Sequence, residues 1–252
     1  MKIHYIEYGS GYPIILLHGF PFNNHLWDPL LPLFYRGNRY IFPDLRGFGK
    51  SMVTDSEYDM HDMAQDVITL MENLKLKKAI IFGHSMGGYV ALEVLRQAPD
   101  YIAGIALIAS HIYADPFKKQ KSRLETVSRL RSENPIRIFH ELPKKLSLDK
   151  TVKEYCRKAI KKAKPIGLQG AMKAMAHRSS SEAIWVDSEI PKLIVAGEDD
   201  QFISREINKK MARSGRNVTF EVLEDAGHML MREFPERTVS VMDKFISLCK
   251  RH

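Results

Sequence analysis

The sequence predicts an α/β fold: a mainly parallel sheet covered by helices on both faces, with an all-helical insertion late in the sheet. Three observations carry this expectation. Short apolar runs alternate with amphipathic stretches from the start of the chain to Ser110. Several of those runs are continuous and rich in Ile, Val and Leu, as strands buried on both faces must be. The alternation then stops, and strand-like sequence resumes only at Ile190-Pro191-Lys192-Leu193.

In chain order, Ile3–Tyr8, Pro13–His18, Arg39–Asp44 and Ala79–Phe82 read as strands, followed by Ile102–Ala109, Leu193–Ala196 and Val218–Leu223. Met60–Leu74 places Met60, Met63, Ala64, Val67, Leu70, Met71 and Leu74 on one side at helical spacing. Met86–Gln97 and Glu236–Cys249 repeat that pattern. Strands alternating with helices argue for a parallel sheet with helices on both faces. From Phe117 to His177 no segment reads as a strand, and the helical pattern breaks at Pro135, Pro143 and Pro165-Ile166-Gly167. The expected organisation is a core of residues 1–110 and 189–252 and a helical cap at residues 111–188.

The length of 252 residues suits one globular domain, or one carrying an insertion. Hydrophobic residues at 44% and charged residues at 27% exclude a disordered or fibrous chain. No apolar stretch approaches the ~20 residues of a membrane span, and Met1-Lys2-Ile3-His4-Tyr5 lacks the apolar run of a signal peptide. Cys156 and Cys249 are too few for a disulfide framework, so a cytoplasmic location is expected. The net charge of +8 is unevenly placed: residues 111–188 hold 18 Lys/Arg against 8 Asp/Glu, the remainder 20 against 22. Such a stretch is either a solvated helical surface or a means of attracting an anionic substrate or partner. Lys144-Lys145 and the run from Lys158 to Lys164 are the basic clusters that a substrate entrance would use.

Gly83-His84-Ser85-Met86-Gly87 fits G-x-S-x-G. It follows the apolar run Lys78–Phe82 and opens the helical Gly87–Leu92. A strand-to-helix turn that tight forces its middle residue into strained backbone angles, and flanking glycines remove the clashes. Ser85 then projects at the C-terminal edge of the sheet, over a helix N-terminus that favours negative charge. A serine hydroxyl needs a base. Of ten histidines, His228 has the right setting, in Glu224-Asp225-Ala226-Gly227-His228 between the last strand and the last helix. A carboxylate must orient that histidine, and Gly197-Glu198-Asp199-Asp200 offers three after the strand Leu193–Ala196. The order serine, acid, histidine belongs to one particular fold. His18-Gly19-Phe20-Pro21 ends an earlier strand, so the backbone N–H groups of Phe20 and Met86 are candidate oxyanion donors. His18 is expected to hold that loop and take no part in chemistry.

These residues resemble the α/β-hydrolase family. The likeness runs through His18–Pro21, Pro43-Asp44-Leu45-Arg46-Gly47-Phe48-Gly49-Lys50-Ser51, Gly83–Gly87, Gly197–Asp200 and Ala226–His228. It implies a mainly parallel, roughly eight-stranded sheet with an antiparallel strand near its start and a helical cap after the sixth strand. It also implies a Ser85–Asp200–His228 triad, since the family's acid usually stands three residues after the glycine. Glu198 and Asp199 are the alternatives. In some relatives the acid follows the sixth strand instead, where this chain has no carboxylate before Asp115. Small carboxylesterases, enol-lactonases and cofactor-free perhydrolases are the members the chain most resembles, which implies a small-molecule ester or lactone substrate and no cofactor.

Other classes find less support. The chain has no His-Glu-x-x-His and no Cys-x-x-Cys, so no metal site is expected. Gly83–Gly88 lacks the phosphate-loop lysine and the dinucleotide glycine spacing. The basic stretch carries no recognised nucleic-acid motif. A non-enzymatic receptor on the same fold is the main rival, because a fold does not fix a function.

Overall fold

The computed structural model describes residues 1–51, 53 and 55–251. Seven strands form one sheet: β1 (Tyr5–Tyr8), β2 (Tyr12–Leu17), β3 (Asn38–Pro43), β4 (Ala79–His84), β5 (Ile102–Ile108), β6 (Lys192–Gly197) and β7 (Val218–Leu223). Their spatial order is β1-β3-β2-β4-β5-β6-β7, and only the β1–β3 pair is antiparallel. Every residue of β4 and of β6 is buried, whereas the edge strands β1 and β7 are half-covered. Apolar runs therefore fill the middle of the sheet and mixed sequence its edges. The roughly eight strands implied by the resemblance are seven among the described residues.

Two apolar layers flank the sheet, and period-two alternation sorts side chains between them. Ile15 and Leu17 face one layer with Ile81, Ile105 and Leu107, against α1 (Met60–Asn73) and α2 (Met86–Gln97). Ile14 and Leu16 face the other with Ile80, Phe82 and Ile108. Asp59 caps α1 reciprocally with Asp62, satisfying two backbone donors that a helix start leaves free.

Between β5 and β6 the chain makes six helices: α3 (Phe117–Arg129), α4 (Pro135–Ile138), α5 (Leu142–Leu146), α6 (Lys150–Lys162), α7 (Pro165–His177) and α8 (Glu182–Asp187). With seven strands, this insertion follows the fifth and not the sixth. Pro135, Pro143 and Pro165, which read as helix breaks, stand in the first turns of α4, α5 and α7. Proline's fixed φ suits that position, where its missing N–H has no helical partner to lose. The insertion meets the core backbone to backbone at Gly167, where an added Cβ would lie 2.0 Å from the Gly47 carbonyl oxygen. Tyr58 Oη donates to the Gly167 carbonyl beside it at 2.9 Å. The chain then runs through α9 (Arg205–Ser214), α10 (Leu230–Glu233) and α11 (Pro235–Cys249), and α11 closes the second apolar layer with Met242, Phe245 and Ile246. Among the described residues no helix is long and apolar enough to cross a membrane.

Candidate active site

Ser85 occupies the turn from β4 into α2 with φ +50° and ψ −113°, left-handed values that a serine rarely adopts. The flanking sequence makes that turn attainable. A Cβ at Gly83 would lie 2.5 Å from the Gly88 Cα, and one at Gly87 would lie 2.2 Å from the Leu17 carbonyl oxygen. The turn is also pinned to β5. The Ser85 N–H donates to the Ile108 carbonyl at 3.0 Å, and Ser110 Oγ donates to the Ser85 carbonyl at 2.7 Å. The Ser85 hydroxyl makes no capping bond to α2, so it is left free over the helix N-terminus.

His228 lies beyond the end of β7 and is held on three sides. Its N–H donates to the Leu146 carbonyl of α5 at 3.1 Å, and its carbonyl accepts from His84 Nε2 at 2.9 Å. Its Nδ1 lies 2.9 Å from Asp200 Oδ2, with the two side chains 4% and 1% exposed. A carboxylate acceptor fixes the proton on Nδ1 and leaves Nε2 bare, the tautomer of a general base. The other Asp200 oxygen accepts from the N–H groups of Phe202 at 2.8 Å and Ile203 at 3.3 Å. Burial alone would raise the Asp200 carboxyl. The His228 ring, its hydrogen bond and the two amides outweigh that and hold the group below its ordinary range.

The other acids lie elsewhere. Glu198 is 43% exposed and 3.9 Å from Arg205. Asp199 is exposed, and its N–H donates to the Ala226 carbonyl. Asp115 is enclosed by Arg123 and Arg178 at 2.5 and 2.7 Å. Burial opposes its ionisation, but the two guanidinium groups prevail and hold it down at about 2.

Two histidines serve the loops. His18 Nε2 accepts from the Leu45 N–H at 2.9 Å, so its proton sits on Nδ1, 3.0 Å from the Gly19 carbonyl. Burial pushes its pKa down to about 4. His84 donates through Nε2 to the carbonyl of His228, and its buried Nδ1 has no partner. Burial, reinforced by the neighbouring His228, lowers it to about 3, so it stays neutral. Sequence reasoning missed this second contact. The two residues stand 144 positions apart, and no local pattern links them. Among the described residues, neither the Phe20 nor the Met86 amide is engaged by a backbone carbonyl.

Ser85, His228 and Phe20 line one cavity of about 450 Å³. Among the described residues no hydrogen bond joins the Ser85 hydroxyl to the His228 ring; such bonds often tighten only once substrate is bound. The rest of the wall comes largely from the insertion, including Lys119, Arg123, Phe139, Leu142, Met172 and Met175. These residues were not singled out from the sequence. Lys119, Arg123 and Thr126 do recur at helical spacing in α3, but a polar helix face of that kind reads as a solvated one. Among the described residues no group of three or more His, Cys, Asp or Glu side chains is placed to hold a metal ion.

Comparison with known proteins agrees with this architecture. The model of the α/β-hydrolase fold matches residues 12–235. The (E)-2-((N-methylformamido)methylene)succinate hydrolase of Acinetobacter baylyi is 24% identical over 249 residues, covering 96% of this chain and 93% of that protein. A thermophilic esterase from Thermogutta terrifontis, solved with malate bound, superposes with a TM-score of 0.94 at 32% identity, covering 98% of this chain and 93% of its own. The enol-lactonase of Burkholderia xenovorans shares the fold at a TM-score of 0.89 and 19% identity, over 97% of this chain and 96% of its own. With a family match over most of its length, the chain belongs to the α/β-hydrolase fold family.

Proposed function

We propose that the protein is a serine hydrolase that cleaves a small carboxylic ester or lactone through an acyl-enzyme. The observation that carries this reading is the buried Asp200–His228 pair at 2.9 Å, whose histidine lines one cavity with a serine held at φ +50°. The enzymes most like it include an esterase, an enol-lactonase and a hydrolase. Ser85 Oγ attacks the substrate carbonyl as its proton passes to His228 Nε2. The negative oxygen that forms is received by the N–H groups of Phe20 and Met86. Each donor of that kind is worth roughly 3–4 kcal/mol of barrier. His228 then protonates the leaving oxygen as the C–O bond breaks, and water attacks the acyl-enzyme by the same route in reverse. Asp200 keeps the ring in its tautomer and stabilises its charged form. These steps call for no cofactor.

The insertion at 111–188 acts in this reading as a lid over the site, since it supplies most of the cavity's wall. The test is turnover of p-nitrophenyl esters and simple lactones. Many turnovers per protein, abolished in Ser85→Ala, support the reading. A single stoichiometric release of p-nitrophenol followed by arrest would make the chain a ligand receptor instead.

A further inference from the structure

We propose that the α3 wall of the cavity is a carboxylate-binding subsite, so that the esters or lactones cleaved at Ser85 carry a free carboxylate. This rests on the ester-hydrolase reading above and names the substrate class.

The first observation is the face that α3 turns to the cavity. Lys119, Ser122, Arg123 and Thr126 all line it. They stand at helical spacing on one side of α3, and each carries a polar head. The facing wall is apolar, with Phe139, Leu142, Leu146, Met172 and Met175. A cavity with one greasy wall and one charged wall suits a short carbon chain that ends in an anion.

The second observation is an unbalanced charge. The Asp115 side chain is fully buried, and three cations surround it: Arg123 at 2.5 Å, Arg178 at 2.7 Å and Lys119 at 3.6 Å. One carboxylate therefore faces three positive groups, an excess of two. Arg178 is occupied inward, donating also to the carbonyls of Met175 and Tyr113. Arg123 gives its Nε to Asp115, and a second nitrogen reaches only the Met172 sulfur at 3.6 Å. Lys119 Nζ lies beyond hydrogen-bond reach of Asp115, and burial draws its pKa down. The acid at the cavity, Glu141, is paired with Lys144 at 2.9 Å. Half-buried cations in excess are costly until an anion joins them. A substrate carboxylate supplies that anion, with donors of Arg123 and Lys119 left to receive it.

This differs from the basic runs that the sequence singled out. Of those, Lys145 lines the cavity, but Lys158, Lys162 and Lys164 line a separate one of about 480 Å³ with Phe22 and Asp44.

The experiment compares p-nitrophenyl pentanoate with the mono-p-nitrophenyl ester of adipic acid, which differ by one terminal carboxylate. Wild type should favour the adipate ester in kcat/KM. That ratio should fall about ten- to a hundredfold in Lys119→Gln and in Arg123→Gln, as loss of a charged hydrogen bond predicts. Lys119→Glu should invert it. Raising salt from 0.1 to 1 M should shrink the preference in wild type, because the screening length drops from ~10 to ~3 Å. Taking a ratio removes any general damage to folding. In parallel, calorimetry with monomethyl adipate on the Ser85→Ala variant reads the subsite without turnover, and binding there should weaken on adding Lys119→Gln. Hydrolysis of both esters with a ratio indifferent to Lys119, Arg123 and salt would overturn the subsite and leave ester hydrolysis standing. Absence of turnover together with Lys119-dependent binding would overturn the hydrolase reading and leave the subsite standing. Absence of both overturns the proposal.

Discussion

The floor and the roof of the cavity are built on different principles. The floor stands on strand ends: Ser85 after β4, Asp200 after β6 and His228 after β7. Each is fixed by several backbone groups, and two of the three side chains are nearly inaccessible. The roof consists of helices, several of only four to six residues, and its wall is made of long side chains. Positions that must be accurate to a fraction of an ångström are over-determined by hydrogen bonds. Positions that only select are carried on elements free to vary.

The comparison is broken most severely at the floor. Ser85→Ala should lower kcat by on the order of 10⁴–10⁶ with the fold intact, as steady-state kinetics and circular dichroism will read. A variant retaining a tenth of wild-type activity would refute the assignment. Asp200→Asn should cost on the order of 10³–10⁴ in kcat, while the exposed Asp199→Asn should stay within a few fold. If the two carboxamides behave the other way round, Asp200 is not the orienting acid.

Acid should destabilise the fold. His18, His84 and His111 are buried with pKa values lowered to about 4, 3 and 3. The unfolded chain takes up their protons near pH 6.5 and the folded chain does not, so stability falls as pH drops below that value. At about 1.4 kcal/mol per unit per histidine, each contributes a loss of roughly 2 kcal/mol at pH 5. Urea unfolding from pH 7.5 to 5 measures the sum, and a flat profile would mean that these rings are protonated in the native state.

Smaller effects should follow where roof meets floor. Gly167→Ala drives a methyl against the Gly47 carbonyl, a backbone group that no rotamer change can move aside. It should destabilise by about 1–3 kcal/mol and raise KM more than it lowers kcat. The smallest effect belongs to Glu233, which accepts from Ser147 Oγ of the insertion and from the Gly227 N–H. Glu233→Gln keeps the shape but weakens both bonds, and a several-fold fall in kcat is expected. An unchanged kcat would show that the His228 loop needs no support from that side.

What the sequence revealed also divides along floor and roof. All seven strands were legible, because strands buried on both faces must be continuously apolar and edge strands must alternate. The elbow at Ser85 was legible because only glycine tolerates the backbone approaches at positions 83 and 87. Among the three acids after β6, only the family resemblance singled out Asp200, by its spacing from Gly197. What distinguishes Asp200 is that its loop turns the carboxylate onto the Phe202 and Ile203 amides and the His228 ring. The wall of α3 was illegible for a different reason. A polar helix face normally looks at water, and only the fold of the whole insertion turns this one inward.

The carbonyl of Leu146 brings the two regions together in time as well as in space. It receives the N–H of His228, so any outward swing of α5 releases the histidine from one of its three holds. On the ester-hydrolase reading, an ester too large to fit beneath the seated roof would meet a base with one hold fewer, and a small one would meet a base fully held. The bond that steadies the histidine would then also weigh substrates by size.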